Sequence, residues 1–182
     1  MTSKIKVNIL ADGGDNAIIT SDGAGSFTAS SGLASSVSSQ ITFPSNTPAF
    51  SAFVGSNRGP FSASTWTDIP FTNERFDTNS AFDGTTFTVP ETGKYFFSAQ
   101  LRVEQLAVDF YYQLRLTTST LAISTIGTNG FDTTTPYFML GVSVIVPESA
   151  GATIKAQLFQ SGTATSYVHT ESYFCGMKLI GA

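Results

Sequence analysis

Residues 82–101 constrain the fold more than any other part of the chain. Phe87 and Val89 lead into Pro90, and Gly93 opens a run containing Tyr95, Phe96 and Phe97. Pro90 has no N–H to give to a ladder, so a strand ends there. Gly93 permits a backbone conformation that a branched residue resists. Beyond it Tyr95 and Phe97 point to one face and Phe96 to the other, because side chains alternate along a strand. A strand that is apolar on both faces is buried on both. One face enters the core of a sandwich, and the other is free to enter a subunit interface.

The rest of the chain agrees with an all-β reading. Ala, Leu, Glu and Lys never cluster at helical spacing, whereas Thr, Val, Ile, Phe and Tyr recur in short alternating runs bounded by Gly, Pro, Asn and Asp. Strands are expected at 49–54, 66–71, 85–89, 94–103, 110–117, 121–125, 137–146, 153–159 and 167–180, the last broken near Thr170. Arg75 to Phe82 reads as an irregular extended stretch. This many strands in one segment fits a two-sheet sandwich with Greek-key connections.

Residues 1–43 form a separate zone. Ile5, Val7 and Ile9 alternate with Lys4, Lys6 and Asn8, giving a strand with one apolar face. Short strands are expected at 17–20 and 26–29, separated by Gly-rich turns. Ser30 to Gln40 reads as a linker. Strands this short and weakly apolar do not make a core alone. They need a partner, which makes Ile5, Val7, Ile9, Ile18 and Phe27 candidates for anchoring the chain to another protein. The division is therefore an N-terminal arm with linker, 1–43, and a sandwich domain, 44–182.

Composition narrows the function. Charged residues are 12% of the chain, about half the share of an average soluble domain, while Phe is abundant. That balance favours surface hidden by oligomerisation. The net charge is −4 and the nine Lys and Arg are scattered singly, so a phosphate backbone is not an expected partner. No stretch approaches a membrane span. The N-terminus lacks the apolar core of a signal peptide, so synthesis in a host cytoplasm is expected. The single cysteine, Cys175, permits no internal disulfide and reads as a small buried residue.

Three blocks carry a resemblance. Pro48-Ala49-Phe50-Ser51-Ala52-Phe53, Phe87-Thr88-Val89-Pro90-Glu91-Thr92-Gly93-Lys94-Tyr95-Phe96-Phe97 and Ser172-Tyr173-Phe174-Cys175-Gly176 together resemble the opening strand, the central corner and the closing strand of C1q/TNF-like jelly-roll domains. The resemblance covers residues 48–182. It implies a homotrimer, with aromatic residues of one sheet around a threefold axis. Phe87, Tyr95, Phe96, Phe97, Tyr111, Tyr112 and Phe174 are the candidates for the core and that interface. No collagen stalk precedes the domain, and stalk-free C1q-like domains resemble modules on tailed-phage virions. Some C1q-like domains also hold calcium near the axis.

Catalytic and metal chemistry find little support. A Ser-His-acid site would have to use His169, the only histidine, which reads as a surface or interface residue. Asp77, Asp83, Glu91 and Glu104 offer carboxylate pairs, but so does any set of thirteen acids. Asp12, Asp15 and Asp22 lie in Gly-rich turns compatible with calcium, yet Asp-Gly is turn chemistry that needs no ion, and no cofactor is expected. Trp66 reads as core or interface rather than a glycan anchor. Arg58 and Arg75 read as solvated, with inter-subunit ion pairs as the rival.

The expectation is an all-β, trimeric, non-enzymatic virion-surface protein. Its arm would fasten it to the major capsid protein or another virion protein, as a capsid decoration or cement protein. The rival within that class is a tail-fibre or receptor-binding tip recognising a host glycan or protein. A cellular binding module and a polysaccharide-active enzyme are the readings outside it.

Overall fold

Alternation of apolar and polar side chains sets the architecture. The computed structural model describes residues 9–11, 13–14, 17–21, 24, 27–29, 47–106, 110–119, 121–128, 137–162 and 166–179. The chain divides into two compact units, Met1–Pro44 and Ser45–Ala182.

In the first unit β1 (Ile9–Ala11), β2 (Ala17–Ser21) and β3 (Phe27–Ala29) form an antiparallel sheet in that order. Leu10 lies opposite Ile19, and Ile19 opposite Ala29. Ile9 is exposed and Ile18 half-buried. Phe27 opens β3. Ile5, Val7, Asp12, Asp15, Asp22 and the Ser-rich stretch lie outside the described residues.

The second unit holds β4 (Ala49–Phe53), β5 (Thr67–Asp68), β6 (Asn73–Asp77), β7 (Thr86–Thr88), β8 (Gly93–Glu104), β9 (Tyr111–Thr117), β10 (Ala122–Thr128), β11 (Tyr137–Glu148), β12 (Thr153–Gln160), β13 (Tyr167–Val168) and β14 (Tyr173–Lys178). One sheet of six strands runs β11-β8-β14-β4-β6, with β13 also paired to β8. The other, of five, runs β10-β9-β12-β5, with β7 also paired to β12. All these pairings are antiparallel.

The core lies between the two sheets. β8 sends Tyr95, Phe97, Ala99, Leu101 and Val103 inward, and β9 and β12 answer with Tyr112, Leu114, Leu116, Ile154, Ala156 and Leu158, all buried. At one end the rings form a single cluster. Phe50 stacks on Phe82 and on Phe87, each at 4.7 Å, and meets Phe174 edge-on at 4.9 Å. Phe97 closes the cluster against Phe87 at 5.7 Å. Each such ring contributes about 1.5–3 kcal/mol by leaving water.

The Pro90 corner forms where expected, but for a different reason at Gly93. Its backbone is not left-handed. A side chain there would meet Lys178 Cε at 2.7 Å, so Gly93 is a place of close approach. The left-handed glycine is Gly84, with φ +92°, which turns the chain while Asp83 Oδ1 accepts the N–H groups of Thr85 and Thr86 at 2.9 and 2.7 Å. The Tyr95 hydroxyl donates to the Glu91 carbonyl at 2.7 Å and ties the corner down.

Two further elements differ from the sequence reading. Residues 73–77 form an edge strand, β6, with a register shift at Arg75, although four of the five are exposed. Its ladder is made by backbone groups, which an apolar pattern does not report. The strand expected at 66–71 shrinks to Thr67–Asp68, because Pro70 cannot donate and Ile69 and Phe71 turn into the core. The break expected near Thr170 separates β13 from β14.

Both sheets end on the same flank. β10 and β11 are terminal strands, and they touch: Thr125 Oγ1 donates to the Gly141 carbonyl at 2.9 Å. The Phe138 ring fills the space a side chain at Gly127 would need.

Candidate assembly surface

The outward faces of the two sheets are built differently. On the six-stranded sheet the register lines up outward residues in rows. Ile145 sits opposite Phe96, and Phe96 opposite Met177. The next row runs Ser143, Ser98, Cys175, Ser51, Phe76, with a 2.8 Å hydrogen bond from Ser143 to Ser98. A third contains Gly141, Gln100, Tyr173 and Phe53. Ile145 is 61% exposed, Phe76 and Tyr137 each 50% and Met139 41%. Phe96, Phe53, Tyr173 and Met177 are half-buried. Contiguous exposed apolar side chains of this kind are the usual mark of an interaction site.

A charged rim borders this face. Arg102 donates to Glu104 at 2.9 Å and Glu171 at 2.7 Å, and its guanidinium lies 4.5 Å over the Tyr137 ring. The hydrogen bond from Arg102 holds the Glu171 carboxyl below its ordinary range. Arg102 Nε is buried, with no hydrogen-bond partner among the described residues. His169 Nε2 stands 3.8 Å from Glu104. An apolar centre with a polar rim is the anatomy of a protein–protein contact.

The outer face of the five-stranded sheet carries a bonded polar network beside exposed apolar side chains, with Ile126 63% and Tyr111 40% exposed. Gln157 Oε1 accepts from Arg115 Nε at 2.7 Å and from Thr117 Oγ1 at 3.0 Å, while its Nε2 donates to Asp68. Lys155 Nζ donates to the other Asp68 oxygen at 2.9 Å. Burial alone would raise the Asp68 carboxyl. The hydrogen bonds from Lys155 and Gln157, with the charges of Lys155 and Arg115, outweigh it and hold the group below its ordinary value.

The aromatic residues singled out in the sequence separate by face. Phe87, Tyr95, Phe97, Tyr112 and Phe174 are core residues. Phe96 alone of the set lies on the apolar outer face. Tyr111 stands on the other sheet, 40% exposed and stacked on Phe159 at 5.7 Å. Cys175 is not the core residue expected. With Phe174 and Gly176 turned inward, it faces outward and is half-buried, and burial pushes its thiol up, away from thiolate reactivity. Trp66 lies between Phe159 and Arg115, whose guanidinium sits 3.9 Å over its ring. Burial pulls that guanidinium below its usual value, against the opposing charge of Asp68. Arg75 covers Phe53 at 4.9 Å, and Arg58 donates to Thr72 at 2.9 Å. Among the described residues no group of three or more His, Cys, Asp or Glu is placed to hold a metal. Sequence reasoning missed Ile145 and Met177 as neighbours of Phe96, and Phe53 and Phe76 as residues of the same outward face. Only the cross-strand register brings them together.

No family profile matches the chain, and no curated protein matches it. Solved structures do. The globular domain of zebrafish complement 1qA aligns with a TM-score of 0.53 at 20% identity, over 73% of this chain and 98% of that one. Murine APRIL, in its pH 8.0 crystal structure, aligns with a TM-score of 0.52 at 11% identity, over 72% and 98%. The fold is the C1q/TNF-like jelly roll that the three sequence blocks resemble.

Proposed function

We propose that this chain is a non-enzymatic structural protein that assembles as a homotrimer on a virion surface. The observation that carries the trimer is the outer face of the six-stranded sheet. It presents Phe96, Ile145, Met177 and Phe76 to water behind a charged rim. A second copy of the same chain covers such a face in a head-to-tail contact, and three such contacts close a ring. The resemblance to C1q/TNF-like domains supports three as the number.

The particle role rests on the first unit. None of its described side chains is buried, so β1–β3 have much to gain from docking on another protein. Strand addition to a capsid subunit would supply that partner. Three arms on one trimer multiply a weak contact through effective concentration. A decoration or cement protein fits this best.

Two measurements test the reading. Light scattering should return three times 19.3 kDa, and a monomer would sink the trimer. Quantitative mass spectrometry of purified virus from the source should find hundreds of copies in simple ratio to the capsid protein. A few copies would move the chain to a fibre tip, and none would end the virion reading.

A further inference from the structure

The outer face of the five-stranded sheet carries three aromatic rings that the core does not use, with Ile126 exposed on the same face opposite Gln113. β12 turns Ile154, Ala156, Leu158 and Gln160 inward, so Phe159 faces out with Lys155 and Gln157. Its ring lies between two others, 5.3 Å from Trp66 and 5.7 Å from Tyr111. Folding alone gives no reason for a row of rings on that side.

Planar polar groups flank the row. Gln113 lies directly opposite Phe159 on β9, between Tyr111 and Arg115 in sequence, and it faces outward. Arg115 is fixed by its Nε bond to Gln157 and by Trp66 beneath it, which leaves its terminal nitrogens free to donate. The charges cancel locally: Arg115 and Lys155 are met by Asp68 and by Asp83, which acts on Lys155 at longer range. A phosphate backbone or a strongly charged peptide gains nothing from such a field.

We infer that this face is a binding platform for a neutral glycan. A pyranose offers an apolar face of C–H groups to an aromatic ring and a rim of hydroxyls to planar donors and acceptors. The face supplies both, with Tyr111 and Phe159 as stacking surface and Arg115 and Gln113 as the polar partners. The Gln157–Asp68–Lys155 network positions Arg115. The platform is on the opposite sheet from the proposed trimer contact, so the two readings stand or fall separately.

Trp66 is the only tryptophan of the chain, and it reports on the site. The full-length protein is titrated with cellohexaose, maltohexaose, mannohexaose and chitohexaose while Trp66 emission is followed, beside a printed array of neutral glycans. At least one sugar should give a saturable change. Tyr111→Ala and Gln113→Ala should each weaken that binding about tenfold or more, whereas Glu74→Gln on the exposed edge strand β6 should leave it unchanged. Both site changes are at solvent-facing positions, and circular dichroism checks that they fold. No binding to any sugar overturns the inference, as does binding that both site variants retain. A response to a proline-rich peptide and to none of the sugars overturns the ligand class.

Discussion

Phe96 and Phe97 are consecutive on β8 and belong to different surfaces. Phe97 is fully buried against Phe87 and Tyr95, whereas Phe96 turns outward between Ile145 and Met177. One residue belongs to the core of the fold, and its neighbour to the face proposed for assembly.

Phe97→Ala should therefore cost about 3–5 kcal/mol of folding stability, the usual loss for a buried phenylalanine. Phe96→Asp should leave a folded jelly roll and shift its mass towards the monomer, because a charge cannot be buried unpaired in a contact. Denaturant unfolding reads the first change and light scattering the second. A trimer that survives Phe96→Asp would remove this face from the assembly.

Phe87→Asp should be worse than either. Phe87 is fully buried and packs against Phe50, Tyr95 and Phe97, so an unpaired carboxylate there costs several kcal/mol or more. Failure to obtain folded protein is the expected result, checked by circular dichroism of whatever is soluble.

Gly176 lies opposite Phe97 on the neighbouring strand, and a side chain there would overlap the Phe97 ring and press on Phe50. Gly176→Ala should destabilise the fold by about 1–3 kcal/mol through overpacking. Calorimetry would show it as a lowered Tm.

Acid should weaken the protein in part through Asp68. Its carboxyl titrates below its ordinary value in the folded state. The stability it contributes is present above the unfolded carboxyl value, about pH 4, and is lost as pH falls through the lower folded value. Asp68→Asn should flatten that acid limb. Glu171, lowered by Arg102, keeps some slope in place. Tm measured from pH 7 down to about pH 3 in both proteins decides the point.

Removing residues 1–44 should leave a cooperatively folding trimer, since the buried apolar core belongs to Ser45–Ala182. On the proposed virion role, the shortened protein should no longer bind purified particles of its source. Full binding after truncation would place the anchor elsewhere.

The sequence disclosed the features that depend on neighbours along the chain. The alternation at 95–97, the Pro90 corner and the break near 170 are local patterns, and all three appear as strands and turns. Features that depend on register did not show. The Trp66–Arg115–Phe159 stack joins three distant segments, so no window of sequence contains it. β6 was hidden because Asn73, Glu74 and Arg75 look like loop, and an edge strand needs only backbone pairing on one side. Cys175 misled because its flanking residues are core residues, while the strand's period of two turns it outward.

The flank where β10 and β11 end carries a further consequence. Each strand has a row of N–H and C=O groups with no strand beyond it among the described residues. Such rows invite another chain to add on, and then another. A head-to-tail contact that fails to close grows into a filament, and one that closes after three copies stops. In a chain with so few charges to keep copies apart, the proposed trimer would depend on ring closure to stop a fibre from growing.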